Sequence, residues 1–330
     1  MLLAKKIAVV IPAYRAKYSI EKVLTDIPKY VDNVIVVDDS CPLGTGQHVL
    51  ENIKMSNVTV LFNDENRGVG GATKAGYAEA IKFNADIIFK IDADGQMDTS
   101  KIETFVHVLL SQKADYVKGN RFYFPRYTKG IPKLRLFGNL GLSFLTKLSS
   151  GYWDIVDPTN GYTAISKEAL KILDLKKVDN RYFFESDLLF RLHIIDAKVI
   201  DIPCEAIYGD EVSSLNPLGE IVNFASKNFK NLFKRIIYEY FVRDFSMASI
   251  YLLLGLFTSI LAIVLGSWNF LDSYSTGTPK PTGTVVLVAM LGVFAFQFLM
   301  SFLNYDITKN NNLRGIQITV PPPTLEKNDD

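Results

Sequence analysis

The sequence predicts an α/β domain built on a mostly parallel sheet, followed by two membrane-spanning helices. Three observations lead to this fold class. Short apolar runs alternate with helix-like segments over the first 210 residues, which argues for a parallel sheet covered on both faces. Polar and glycine residues cluster after the runs rather than inside them. Two later segments, 247–268 and 284–303, carry no charged residue and are each long enough to cross a hydrocarbon core of about 30 Å.

The strand-like runs are 6–11, 33–37, 58–62, 86–91 and 115–118, with helix-like segments at 20–30, 70–83 and 100–112. The apolar run after Lys6 is short and ends at Pro12, so it reads as a buried first strand rather than a signal peptide. Lys+Arg 36 against Asp+Glu 35 leaves a formal charge of +1, with no basic field for a general nucleic-acid binder. The 48 % apolar content excludes wholesale disorder. Cys41 and Cys204 are too few for a disulfide scaffold or a Cys-rich zinc site and suit a reducing compartment. His48, His107 and His193 have no ligand spacing and read as structural or surface residues.

Ligands of parallel sheets gather at the carboxyl ends of strands. Here the first run ends in Pro12-Ala13-Tyr14 and the second in Asp38-Asp39-Ser40. The third leads into Asn66-Arg67-Gly68-Val69-Gly70-Gly71, and the fourth ends in Asp92-Ala93-Asp94-Gly95-Gln96. Four such ends in order suggest one site. The glycine segment has Thr73 in place of a third glycine and follows the third strand, which argues against a dinucleotide fold. Asp92 and Asp94, one residue apart in a turn, can approach one Mg²⁺ or Mn²⁺, with Gln96 a further oxygen ligand.

These motifs, with Gly119-Asn120-Arg121 and Asp157-Pro158-Thr159-Asn160-Gly161-Tyr162, stand in the order seen in family 2 glycosyltransferases. The sequence most resembles the polyprenyl-phosphate sugar transferases, both dolichyl-phosphate mannose synthases and bacterial two-span glucosyltransferases. The resemblance implies a GT-A type, Rossmann-like sheet and a nucleotide-sugar donor, with a UDP-sugar favoured. It places Pro12, Tyr14, Asp38, Asp39, Gly68 and Asp92 around the nucleotide, and Asp92, Asp94 and Gln96 on the metal and diphosphate. Arg121 matches an arginine that holds the acceptor phosphate, and Arg135 and Asn139 match a second arginine and its polar partner. Asp157 lies near the reacting centre, where it would touch the metal, touch a sugar hydroxyl or cap the turn before Pro158. Glu185 and Asp187 would contact the sugar, position the acceptor or simply start a solvated helix. Mannose synthases often carry Ser-Lys-Leu late in the domain; here it is Ser213-Ser214-Leu215, which weakens a mannose assignment.

The expected organisation is a catalytic domain over 1–210, juxtamembrane amphipathic helices over 211–246, two spans within 247–305 and a tail over 306–330 without assigned function. From Leu218 to Tyr240 apolar residues recur at three- and four-residue steps, with Lys227, Lys230 and Lys234 largely on another face, the pattern of a helix in the lipid interface. Positive residues flank the spans, whereas the connecting loop 269–283 holds only Lys280, so both termini are expected in the cytoplasm. Membrane hairpins often associate, which is compatible with a homo-oligomer.

The expected activity is inverting transfer of one sugar, glucose from UDP-glucose being favoured, to polyprenyl phosphate at the cytoplasmic membrane face. A lipid monophosphate is largely dianionic near pH 7 and needs its charge held and aimed more than it needs a base. The competing readings are a mannose synthase using GDP-mannose, a processive polysaccharide synthase and a non-catalytic membrane scaffold. Two spans and the absence of an Arg-Trp pair argue against the second; intact Asp92, Asp94 and Gln96 argue against the third.

Overall fold

A computed structural model describes residues 2–124, 133–205 and 217–310, with side chains 133–137, 217–221 and 310 excepted. Ser213-Ser214-Leu215 and most of the tail lie outside the described residues. The chain divides into two compact units, within 1–232 and from 233 onward.

The first unit alternates as expected: β1 (Ile7–Ala13), α1 (Ile20–Asp26), β2 (Asn33–Asp38), α2 (Thr45–Asn52), β3 (Val58–Phe62), α3 (Gly68–Lys82), β4 (Ile87–Lys90), α4 (Ile102–Ser111) and β5 (Tyr116–Asn120). It continues through α5 (Lys133–Ser150), β6 (Thr163–Ser166), α6 (Lys167–Ile172), α7 (Phe184–Ile194) and β7 (Val199–Pro203), and it holds the larger part of α8 (Pro217–Ile237), whose last turn belongs to the second unit. The sheet order is β3-β2-β1-β4-β6-β5-β7. Strands β1 to β4 run parallel, as do β5 and β7, while β6 is antiparallel to both neighbours.

Alternate residues of the strands feed two cores, the side-chain periodicity of a sheet covered on both faces. Ile7, Val9 and Ile11 pack with α1 and α4, whereas Ala8 and Val10 pack with α3, α6 and α7. The second face carries an unusual row. Lys90 pairs in register with Thr163, Thr163 with Lys118, and Lys118 with Asp201. Both lysines are 1 % exposed or less, so two cationic side chains lie within the sheet's carboxyl-end layer.

Within the first unit the buried face of α8 is partly polar: Phe224, Asn228 and Asn231 face inward. Val222, Phe229, Phe233 and Ile237 are more than half exposed. Polar inside and apolar outside is the reverse of a helix packed on a soluble domain, and it suits a lipid surface. Lys230 and Lys234 are exposed beside this face, but Lys227 departs from the expected headgroup role, since its ammonium pairs with Asp179 at 2.6 Å.

The second unit holds α9 (Met247–Thr276) and α10 (Thr282–Asn310). Both are longer than the predicted spans, and the connection shrinks from 269–283 to a few residues around Gly277, whose φ of 65° ends α9. At 1.5 Å per residue, helices of 30 and 29 residues are longer than a hydrocarbon core of about 30 Å is thick. Phe257, Ile260, Ile263 and Trp268 are exposed along α9, which leaves an apolar surface for lipid rather than for a soluble core. Gly255 allows close approach of α10, because a Cβ there would sit 2.8 Å from Leu299.

The unit also corrects two expectations. Tyr240 is fully buried rather than lipid-facing, and Asp306 is part of α10 rather than of a free tail. Arg235 donates to both carboxylate oxygens of Asp306, at 2.6 and 3.1 Å, and to Glu239 at 3.1 Å; the Tyr240 hydroxyl donates to Asp306 at 2.6 Å. Removing one partner of such a buried pair strands the other charge. Asp306→Ala is therefore expected to destabilise this unit by about 3–5 kcal/mol, read as a fall in unfolding temperature in detergent.

Candidate active site

The site begins with Asp39 at the end of β2. Asp39 Oδ1 accepts from the Arg67 N–H at 2.9 Å and from Asn63 Nδ2 at 2.7 Å, and Oδ2 accepts from the Gly68 N–H at 2.7 Å. The carboxylate thus fixes the entry to α3, where the helix dipole favours negative charge. Gly68 has φ 78°, and a Cβ there would meet the Asn180 carbonyl at 2.7 Å, so this position requires glycine. A cavity of about 470 Å³ opens here, lined by Pro12, Tyr14, Arg15, Asp39, Asn66, Gly68 and Val69, and by Arg181 and Tyr182 from the loop before α7. Asp38 turns elsewhere: its two oxygens accept from the Cys41 and Gly46 N–H groups at 2.7 and 2.6 Å, and it is absent from the cavity wall. Asp38 thus caps the 41–46 turn and the start of α2, because adjacent residues at a strand end point to opposite faces.

Past β4, Asp94 Oδ1 accepts from the Gln96 N–H at 2.9 Å, and Gly95 at φ 74° closes the turn. Asp92 is about one-third exposed and is held by Lys90, whose ammonium lies 2.7 Å from Asp92 Oδ1 and 2.9 Å from Glu185 Oε1. Burial favours the neutral amine, but the two carboxylates overcome it and raise Lys90 above its ordinary range. Gly161 lets this cluster meet the Asp157–Tyr162 segment, since a Cβ there would collide with Asp92 Oδ2 and Lys90 Nζ.

Asp157 is fully buried and forms a bidentate pair with Arg121: Nε to Oδ2 at 2.8 Å and Nη2 to Oδ1 at 2.9 Å, with the Arg121 N–H also on Oδ2 at 3.1 Å. Burial raises the Asp157 pKa, but Arg121 and Lys118 more than offset it and hold the carboxyl below the ordinary range. An acid so strongly ionised and so fully engaged is poorly suited to accept a proton; it orients the guanidinium. The Arg121 side chain keeps about one quarter of its surface exposed.

The structure thus pairs Arg121 with Asp157 and groups Asp92, Lys90 and Glu185, with Gly161 bringing the 157–162 segment against the second group; none of these residues lines the Asp39 cavity. Arg135 and Asn139 both lie on α5, one turn apart; Asn139 is half-buried, and the Arg135 side chain is outside the described residues. Neither Glu185 nor Asp187 is solvated. Asp187 accepts from the Asp179 N–H, Arg191 and Asn231, and so steadies the loop that brings Arg181 and Tyr182 to the cavity. The sequence reading missed Lys90, Lys118, Asp201, Arg181 and Tyr182. The first three had a signal, a charged residue inside an apolar strand; the last two had none.

Behind the pair, burial pushes Asp201 up to about 7 and Lys118 down to about 8. Folded Asp201 therefore keeps its proton in a range, from about pH 4 to pH 7, where the unfolded chain has lost it. Its contribution to stability falls as pH rises through this range, by roughly 1–3 kcal/mol. The stability difference between wild type and Asp201→Asn is expected to shift by that amount in denaturant unfolding at pH 4.5 and 7.5, in favour of the variant at the higher pH; a constant difference would contradict it.

A carboxyl-edge cavity beside a helix N-terminus, an acidic turn and a clamped arginine define an enzyme site for phosphorylated substrates on an α/β sheet. Residues 8–173 match Glycosyl transferase family 2, and the chain belongs to that family. Its mixed seven-stranded sheet is the GT-A-like arrangement expected above. The chain is 32 % identical over 218 residues to the UDP-N-acetylglucosamine–dolichyl-phosphate N-acetylglucosaminyltransferase of Methanococcus voltae, covering 62 % of this chain and 86 % of that protein. It is 26 % identical over 224 residues to the undecaprenyl-phosphate mannosyltransferase of Micrococcus luteus, covering 66 % and 91 %. Among solved structures it is similar to UDP-bound glucosyl-3-phosphoglycerate synthase of Mycobacterium tuberculosis, at 21 % identity and a TM-score of 0.49 over 70 % of this chain and 80 % of that one.

Proposed function

We propose that the chain transfers a single sugar from a UDP-sugar to polyprenyl phosphate at the cytoplasmic face of a membrane, with inversion at the anomeric carbon. The observation that carries this reading is Arg121 held rigid by a buried carboxylate, in a chain that also bears a lipid-facing hairpin. The guanidinium fork suits a phosphate monoester dianion, which attacks without a general base once its charge is held and aimed. The cavity at Asp39 and Gly68 receives the nucleotide, with Arg181 and Tyr182 on its far wall. The relative at 32 % identity acts with UDP-N-acetylglucosamine, which favours this donor over the UDP-glucose expected from the sequence.

Asp92, Asp94 and Gln96, within five residues of the turn after β4, offer the oxygen ligands that Mg²⁺ or Mn²⁺ would take. Mg²⁺ usually keeps several waters and is bound through one or two carboxylates plus substrate phosphates. Such an ion would neutralise charge on the departing nucleoside diphosphate.

The full-length protein in detergent, supplied separately with radiolabelled UDP-N-acetylglucosamine, UDP-glucose and GDP-mannose plus undecaprenyl or dolichyl phosphate, is expected to form a lipid-linked sugar with a UDP-sugar. Failure with every pairing in both Mg²⁺ and Mn²⁺ would overturn the proposal. Gly68→Ala, which brings a Cβ against the Asn180 carbonyl, is expected to weaken UDP binding by about tenfold or more in calorimetry, equivalent to about 1.4 kcal/mol.

A further inference from the structure

We propose that Asp201 is a positioning residue for the acceptor clasp: a single carboxyl oxygen on β7 ties down both backbone segments that carry the Arg121–Asp157 pair. The inference rests on the reading of Arg121 as the group that receives the acceptor phosphate.

Asp201 Oδ2 accepts from Asn120 Nδ2 at 3.0 Å and from the Val156 N–H at 3.0 Å. Asn120 and Val156 are the residues immediately before Arg121 and Asp157, so each bond acts one peptide unit, about 3.8 Å, from a member of the pair. The Asn120 side chain also reaches past Arg121, its Oδ1 accepting from the Phe122 N–H at 2.8 Å. Arg121 is thus bracketed from both sides by one amide that Asp201 holds.

The neighbouring strand completes the device. Lys118, the register partner of Asp201, donates to the Asn160 carbonyl at 2.5 Å, and Asn160 Nδ2 donates back to the Gly119 carbonyl at 2.8 Å. Residues 156–160 are therefore pinned at their first residue by Asp201 and at their last by Lys118. The arrangement costs stability: Asp201 Oδ1 is buried without a hydrogen-bond partner among the described residues, and Lys118 is a fully buried ammonium. An apolar pair would avoid both costs but would leave the Val156 N–H and the Asn120 amide unheld. A carboxyl that accepts two bonds through one oxygen aligns Arg121 with Asp157 before any ligand arrives, the preorganisation that phosphate recognition by a fork requires.

The test measures equilibrium binding of undecaprenyl phosphate and of UDP separately, on the full-length protein in nanodiscs. Asp201→Leu, which removes the double acceptor, is expected to weaken lipid phosphate binding about tenfold and UDP binding less than twofold. Asp201→Asn keeps an oxygen for both donors and is expected to bring lipid phosphate affinity back to within about threefold of wild type. Asn120→Ala, which loses one of the two bonds, should fall between them, and it decides the matter if Asp201→Leu fails to fold, as loss of UDP binding would reveal. Unchanged lipid binding, equal weakening of both ligands in a folded variant, or no recovery in Asp201→Asn would overturn the inference. Arg121→Ala separates it from its premise. If that variant binds the lipid phosphate normally, the acceptor reading itself fails and this inference with it; if it binds weakly while the Asp201 and Asn120 variants bind normally, only the positioning role fails.

Discussion

Asp94→Ala is expected to lower kcat/KM by about a thousandfold or more while the protein stays folded. A nucleoside diphosphate leaves with growing negative charge, and a divalent ion at that point supplies several kcal/mol of stabilisation. Asp94 is half-buried in the turn past β4, where it accepts the Gln96 N–H and packs in no apolar core, so its removal is expected to cost the fold less than it costs the reaction. Asp92→Ala should behave differently. It removes one of two carboxylates that neutralise buried Lys90 and leaves Glu185 to do so alone, so both activity and stability should fall. The two effects are separated by measuring Mn²⁺ binding by electron paramagnetic resonance and thermal unfolding on the same samples. Full transfer activity in Asp94→Ala would remove the ion from the account.

Asp157→Ala is the second large effect. The expected outcome is a loss of about a hundred- to a thousandfold in kcat/KM, with a marked fall in stability, because a part-buried guanidinium would lose its bidentate partner. Arg121→Lys should lose nearly as much activity as Arg121→Ala, since an ammonium keeps the charge but not the fork. The pH dependence follows from the depressed Asp157 pKa. The pair's contribution is fully present above the ordinary carboxylate range and is lost as pH falls through the lower, folded value. Acid lability below about pH 4 should therefore be reduced in Asp157→Asn relative to its own neutral-pH stability. A variant that retained wild-type activity without the carboxylate would show that Arg121 needs no clamp.

The parallel half of the sheet was legible because β1, β2 and β4 are buried on both faces and read as mostly apolar runs. The acidic turn and Asp39 were legible because short motifs at strand ends stand out against those runs. The antiparallel β6 was not: four residues, Thr163–Ser166, carry too little pattern, and their partners are distant in sequence. Asp38 and Asp39 look equivalent in sequence, and only the strand's alternation sends one to the α2 turn and the other to the cavity wall. Arg181 and Tyr182 reach the cavity because Asp187 and the close approach of Gly68 and Gly70 seat their loop, contacts that no local pattern encodes. Lys90, Lys118 and Asp201 break three apolar strands, and the register that places them in one row exists only in the folded sheet.

The most direct test of the central claim follows nucleotide and lipid in one reaction. Full-length protein in nanodiscs is given UDP-N-acetylglucosamine, undecaprenyl phosphate and Mn²⁺, with UDP-glucose in a parallel reaction, and both products are quantified by mass spectrometry. The account predicts one UDP released for each undecaprenyl monophosphate that gains one sugar, with the anomeric configuration inverted. Release of UMP with a lipid diphosphate, or of UDP without any lipid-linked sugar, would contradict it.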